Sequence, residues 1–123
     1  MENCIFCKII NGDIPCYKVY EDDVVISFLS IDPVSYGHTL VIPKEHYLDF
    51  SDITLEVITH INMVSKDIYK RLWDNLKPNG FKFVQNNGSL QEVKHYHLHL
   101  IPVFDNEPGD KKDLKNVLEE ILK

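Results

Sequence analysis

The sequence contains no apolar run of about 18 residues, so no membrane-spanning helix is expected. Its start, Met1-Glu2-Asn3, lacks the basic and apolar parts of a secretory signal. Cysteine is scarce: Cys4, Cys7 and Cys16 make an odd number, which argues against a disulfide framework and, with no secretory signal, for a cytoplasmic setting. Positive charge is in deficit as well. Thirteen Lys and Arg stand against 19 Asp and Glu, a net charge of −6, which argues against sequence-independent binding to long nucleic acid through many phosphate contacts. A small anionic ligand held by backbone N–H groups and imidazoles remains open. There is no internal repeat, no low-complexity segment and no linker rich in Gly, Pro or Ser. A chain of 123 residues with 44% hydrophobic residues suffices for one core and falls short of two. A single domain over 1–123 is expected, with a core at about 1–105 and a C-terminal helix at about 110–123.

Hydrophobic periodicity supplies the elements. Residues Ile5 to Ile10 predict a short apolar helix stopped near Gly12. Val19-Tyr20 and Val24 to Leu29, separated by Glu21-Asp22-Asp23, predict a hairpin. Thr39 to Ile42, bounded by Gly37 and Pro43, suits a buried strand. Val57, Ile58, Ile61, Val64, Ile68 and Leu72 fall at helical spacing and predict one long amphipathic helix between Asp52 and Trp73, capped by Asp52 or Thr54. Strands are expected at Phe81 to Gln85 and from about Val93 to Val103, with a turn at Asn86-Asn87-Gly88. Leu114, Val117, Leu118, Ile121 and Leu122 make an amphipathic terminal helix. The expected fold is α+β, an antiparallel sheet of about five strands with one long helix and a C-terminal helix.

The chemistry concentrates in His95-Tyr96-His97-Leu98-His99. Alternation on a strand puts the three histidines on one face and Tyr96, Leu98 and Leu100 on the other, toward the core. At about 3.3 Å per residue, neighbouring histidines are about 6.6 Å apart at the backbone and the outer two about 13 Å, so one small ligand reaches two of them. Taken alone, the triplet does not separate metal binding from catalysis. Cys4-x-x-Cys7 offers two thiolates, and His46 with one strand histidine can complete a four-ligand zinc site. The alternatives are two ordinary buried thiols or a redox pair, and the latter fits poorly because no strand precedes the motif.

The pattern His95-Tyr96-His97-Leu98-His99-Leu100-Ile101 resembles the histidine triad (HIT) motif, and Gly37-His38-Thr39-Leu40-Val41-Ile42-Pro43-Lys44 resembles that family's second motif. Cys4-Ile5-Phe6-Cys7-Lys8-Ile9-Ile10, Gly12-Asp13-Ile14-Pro15 and Val19-Tyr20-Glu21-Asp22 look like the opening of its zinc-binding bacterial members. The resemblance covers roughly residues 1 to 105, and it implies a nucleotidyl hydrolase or transferase acting on small, purine-type nucleotide substrates. A phosphorus bond of a nucleoside phosphoramidate would be cleaved through a covalent nucleotidyl-histidine at His97, releasing a nucleoside monophosphate. Dinucleoside polyphosphate hydrolysis and a nucleotide-binding scaffold with decayed catalysis are the alternatives.

Carried over by position, His99 would contact the phosphate or leaving group, and His38 would hydrogen-bond the nucleophile and fix its tautomer. Backbone N–H groups around Glu92 and Val93, with Gln91 beside them, would hold phosphate, and Asn86 would lie near the ribose. Cys4, Cys7, His46 and His95 would bind a structural zinc. The resemblance further implies a homodimer in which two sheets join, with the long helix as a candidate interface. Some positions depart from the pattern. Ser30 stands where many members carry Asp or Asn for the ribose hydroxyls, and nearby Asp32 substitutes only if its loop curls inward. The Gly88-Ser89-Leu90 loop is short, and Glu92 stands where several members have Ser or Thr. A carboxylate there disfavours an anionic substrate unless it points away or meets a cationic leaving amine. His60 belongs to no motif and is expected to be solvent-exposed.

Overall fold

The computed structural model describes residues 3–123. Helix α1 (Ile5–Ile10) is followed by strands β1 (Lys18–Glu21), β2 (Val25–Leu29) and β3 (Thr39–Pro43), the long helix α2 (Leu55–Leu76), strand β4 (Gly80–Val84), a 3-10 turn at Gly88–Leu90, strand β5 (Leu98–Val103) and helix α3 (Leu114–Ile121). The strands form one antiparallel sheet in the order β1-β2-β3-β5-β4. This is the expected α+β arrangement.

β2 and β3 are buried on both faces, as their apolar runs require. On one face Val25, Leu29, Val41, Leu98 and Leu100 pack with Ile61, Val64, Ile68 and Leu72 of α2 and with Val117 and Ile121 of α3. On the other, Ile26, Phe28, Leu40 and Ile42 pack against Cys4 and Phe6. Truncating Leu72 or Leu100, both fully buried, to Ala would cost about 2–5 kcal/mol by this logic of transfer plus cavity. The Asn75 amide also ties α2 to α3 by donating to the Ile121 carbonyl at 2.7 Å.

Helix boundaries follow local chemistry. The Thr54 hydroxyl caps α2 by accepting from Val57 N–H, while Asp52 accepts from Leu48 and Asp49 in the turn before it. α2 runs to Leu76, one turn beyond the expected end, and stops where Lys77 turns left-handed (φ 54°) ahead of Pro78, which disfavours right-handed helix at the preceding residue. In the β1–β2 turn the Asp22 carboxylate accepts from Val24 and Val25 N–H and from the Tyr20 hydroxyl. His60 reaches that same carboxylate at 2.8 Å. The expectation of a solvent-exposed His60 is therefore corrected: it is half-buried, pinning α2 to the hairpin.

The histidine segment differs from expectation in one respect. β5 begins at Leu98 and not near Val93, because the preceding residues are drawn out of the sheet toward the chain leaving β3. Tyr96 N–H donates to the Tyr47 carbonyl at 2.7 Å, and His95 Nε2 lies 2.8 Å from the Pro43 carbonyl. Tyr96, Leu98 and Leu100 still enter the α2 core. His99 pairs across the sheet with Leu40, on the face that carries α1. No helix among the described residues is long and apolar enough to cross a membrane.

Candidate active site and metal centre

Two loops bring the histidines together. Between β2 and β3 the chain closes on itself, with Ser30 N–H donating to the His38 carbonyl and His38 N–H to that of Ser35. Gly37 makes the last step of this loop with φ +87°, a dihedral that favours glycine, and a Cβ there would stand 2.5 Å from Leu76 Cδ1 and force that methyl to move. His38 is thereby set against β5.

A chain of hydrogen bonds then determines which ring nitrogens carry protons. Val34 N–H can only donate, so His38 Nδ1, 3.1 Å away, accepts. Neutral His38 therefore carries its hydrogen on Nε2 and donates to His99 Nδ1 at 2.9 Å. His99 in turn carries its hydrogen on Nε2. His97 Nδ1 lies 2.7 Å from the His95 carbonyl, which can only accept, so His97 holds its hydrogen on Nδ1 and leaves Nε2 with a lone pair. No protein partner for that Nε2 is present among the described residues, although the residue is only 5% exposed. The ring centroids of His97 and His99 are 4.7 Å apart, and Phe6 sits edge-on to His97 at 5.1 Å. Thus the tautomer of His97 is fixed by the His95 backbone, and His38 supports His99, not the residue expected as nucleophile.

Burial lowers the pKa of His97, opposed by the His95 carbonyl and the Glu92 carboxylate. Burial also pushes His38 and His99 down to about 4. Both are neutral near pH 7.

Two cavities of about 250 Å³ each open beside these rings. One is lined by Val34, His38, Val84, Asn86 and Leu90; the other is apolar and lined by Ile5, Phe6, Ile9, Ile14, Phe28 and Leu40, with Cys16. They share Ser30, Asp32, Glu92, His97 and His99. Of the residues expected near substrate, Ser30, Asn86 and Glu92 line the first cavity, and Val93 lines the second with Ser30 and Glu92. Gln91 lines neither. It is buried, its amide donating to the Leu48 carbonyl at 2.7 Å, so its side chain anchors the loop. The Ser30 hydroxyl accepts from Asp32 N–H at 3.2 Å, and this turn curls Asp32 into both cavities. The α1 residues of the apolar cavity are absent from the sequence-based expectations. Their signal, Ile5, Phe6 and Ile9 on one side of a short helix, was legible only as core packing.

At the other end of the segment, Cys4, Cys7, His46 and His95 present ligand atoms all within 4.8 Å of one another. Cys4 Sγ is 3.3 Å from His95 Nδ1, Cys7 Sγ is 3.3 Å from His46 Nδ1, and the two Nδ1 atoms are 3.1 Å apart. Tetrahedral zinc with about 2.3 Å bonds to sulfur and about 2.0 Å to nitrogen needs its ligand atoms roughly 3.3–3.8 Å apart; the three short pairs match this within a few tenths of an ångström, and the widest, within 4.8 Å, would have to close by up to about 1 Å around an ion. The His95 Nε2 contact with the Pro43 carbonyl leaves Nδ1 as a lone pair facing the cluster. None of the four residues lines either cavity.

A family model described as HIT domain matches residues 11–106. An uncharacterised HIT-like protein of Methanocaldococcus jannaschii is 44% identical over 126 residues, covering 98% of this chain and 96% of its own. The adenosine 5'-monophosphoramidase of Schizosaccharomyces pombe is 41% identical over 109 residues, covering 87% of this chain and 79% of its own. Among solved structures, a zinc-bound histidine triad family protein from Mycobacterium smegmatis superposes with a TM-score of 0.85 at 32% identity, covering 98% of this chain and 94% of that one.

Proposed function

The chain belongs to the HIT family, and from that premise we propose that it is a nucleotidyl hydrolase cleaving the P–N bond of a nucleoside phosphoramidate through a covalent intermediate on His97. The observation that carries this reading is the His97 tautomer: a buried imidazole whose Nε2 lone pair faces the cavities, beside a second imidazole oriented to donate. The name of the S. pombe relative, an adenosine 5'-monophosphoramidase, supports the substrate class.

In this mechanism His97 Nε2 attacks the α-phosphorus and forms an N–P bond as the P–N bond to the amine breaks. The amine leaves with that electron pair and a solvent proton delivered through His99 Nε2. Water then attacks phosphorus and releases its proton to solvent, and the electron pair of the N–P bond returns to His97. One water is consumed, and the proton taken up in the first step is released in the second. His38 holds His99 in the donating tautomer throughout. The imidazolium character that develops on His97 is stabilised at Nδ1–H by the His95 carbonyl. The nucleobase fits the apolar cavity beside α1, and Asn86 faces the sugar-phosphate side.

Zinc held by Cys4, Cys7, His46 and His95 would supply structural cross-linking of α1 to the β3 and β5 segments, supported by the donor spacing and by the zinc-bound relative. Metal analysis of the purified protein tests it, and reduced cysteines with no bound zinc would remove it. The free thiols suit a reducing, cytoplasmic setting. A homodimer is supported by the edge position of β4 together with an aromatic patch of Tyr69, Trp73 and Phe83, each more than a third exposed. The apolar stripe of α2 is already spent on its own sheet, so the interface would use the flank next to β4. Sedimentation of Phe83→Lys should show a shift from dimer to monomer.

The test of the activity is incubation with an adenosine phosphoramidate, scored for AMP and, by mass, for a nucleotidyl adduct on His97. Turnover that is equally negligible in the wild type and in His97→Ala would refute the reading.

A further inference from the structure

The rim shared by the two cavities carries two carboxylates from separate parts of the chain, Asp32 from the loop after β2 and Glu92 from the segment before β5. No Lys or Arg lines either cavity among the described residues. The basic residues nearest in sequence to these elements are engaged elsewhere: Lys94 Nζ is 2.6 Å from the Gly88 carbonyl, and Lys44 Nζ is 2.7 Å from Glu21. The buried His97, whose Nε2 keeps its lone pair, lines both cavities with these carboxylates. A substrate phosphate entering there meets imidazoles and carboxylates and no lining cation among the described residues, so the fixed side-chain charge around it is negative.

That charge balance separates classes of leaving group. A polyphosphate leaving group brings further negative charge to a rim that has no cation to receive it, and like charges at such separations repel. An amine with a second, protonated nitrogen meets complementary carboxylates. We propose that Asp32 and Glu92 determine leaving-group specificity and select nucleotidyl conjugates of cationic amines, such as diamines or the side-chain amine of a basic amino acid. The inference rests on the nucleotidyl-transfer reading above and assigns its substrate class. The bond cleaved is the same P–N bond, and the cationic end stays protonated and paired with the rim while the reacting nitrogen leaves.

Three AMP phosphoramidates of matched length test this, made from 1,4-diaminobutane, pentylamine and 4-aminobutyrate, and therefore cationic, neutral and anionic at the far end. In the wild type kcat/KM should fall in that order, by about fivefold per step, the scale of one partly exposed ion pair. The cationic-to-neutral ratio should fall toward one in Glu92→Gln and further in Asp32→Asn/Glu92→Gln, and added salt should lower it in the wild type only. Equilibrium binding of the three intact conjugates to His97→Ala reads the same ranking without turnover. A preference in binding with no turnover in the wild type would overturn the hydrolase reading and support the charge selection. Equal values for the three conjugates in both measurements, or a ratio unmoved in the double variant, would overturn the inference.

Discussion

His95 and His97 are the same residue two positions apart, yet they face opposite tasks. Each has one ring nitrogen tied to a backbone carbonyl, but not the same one. His95 is held at Nε2 by Pro43, which frees Nδ1 for the cysteine cluster; His97 is held at Nδ1 by His95, which frees Nε2 for the cavities. The choice of carbonyl determines which lone pair is available and where it points. Two free ring nitrogens facing different surroundings therefore sit side by side in one short segment.

The comparison breaks most completely if the free nitrogen of His97 is removed. His97→Ala should lower kcat/KM by at least about 10⁴-fold, as expected when a nucleophile is lost from a site whose groups act as a unit, and rapid-quench kinetics with mass analysis should show no adduct. On the His95 side, chelation of the metal, or Cys4→Ser, should lower stability by about 4 kcal/mol where free zinc exceeds its Kd a thousandfold. Differential scanning calorimetry with and without chelator checks it, and a metal-independent melting point would dissolve the contrast between the two residues. His38→Ala leaves His97 untouched and disorients His99. A loss of about 10²-fold in kcat with KM little changed is expected, and steady-state kinetics distinguishes this from a binding defect.

The mildest perturbation is acid. His38 titrates at about 4 in the folded protein against an ordinary 6.5 because burial disfavours its charged form. The unfolded chain therefore binds this proton first, and the stability that neutral His38 contributes is complete above about pH 6.5 and is lost progressively as pH falls toward about 4. Between pH 6.5 and 5.5 this amounts to roughly 1 kcal/mol, measurable as a lower urea midpoint whose pH dependence His38→Asn should weaken, His99, equally depressed, keeping its own share.

Much of this was legible in the chain. The strands and helices announce themselves through period-two and helical apolar spacing, and the four cluster residues were assigned from the resemblance as a group. What escaped was set by contacts between distant segments. Nothing local to residues 93–97 predicts that Tyr47 and Pro43 draw them from the sheet, so the expected strand starts too early. The partner of His38 is decided by ring positions across β3 and β5, which sequence spacing does not resolve. Gln91 lies in the expected loop, but its amide finds a carbonyl 43 positions away. The inward curl of Asp32 depends on a single serine hydroxyl, a local device whose direction only the folded loop reveals.

The attachment of α1 has a consequence for how the molecule comes into being. Cys4 meets His95 across 91 positions, and the same short helix provides Ile5, Phe6 and Ile9 to the apolar cavity wall. Contacts of such sequence separation form late and slowly. During synthesis the first helix can meet β2 and β3 early, but its histidine partners emerge only with the last strand, so the cavity walls stay incomplete on the nascent chain. The apolar cavity is complete only when the histidine segment and the helix packed on it have arrived together.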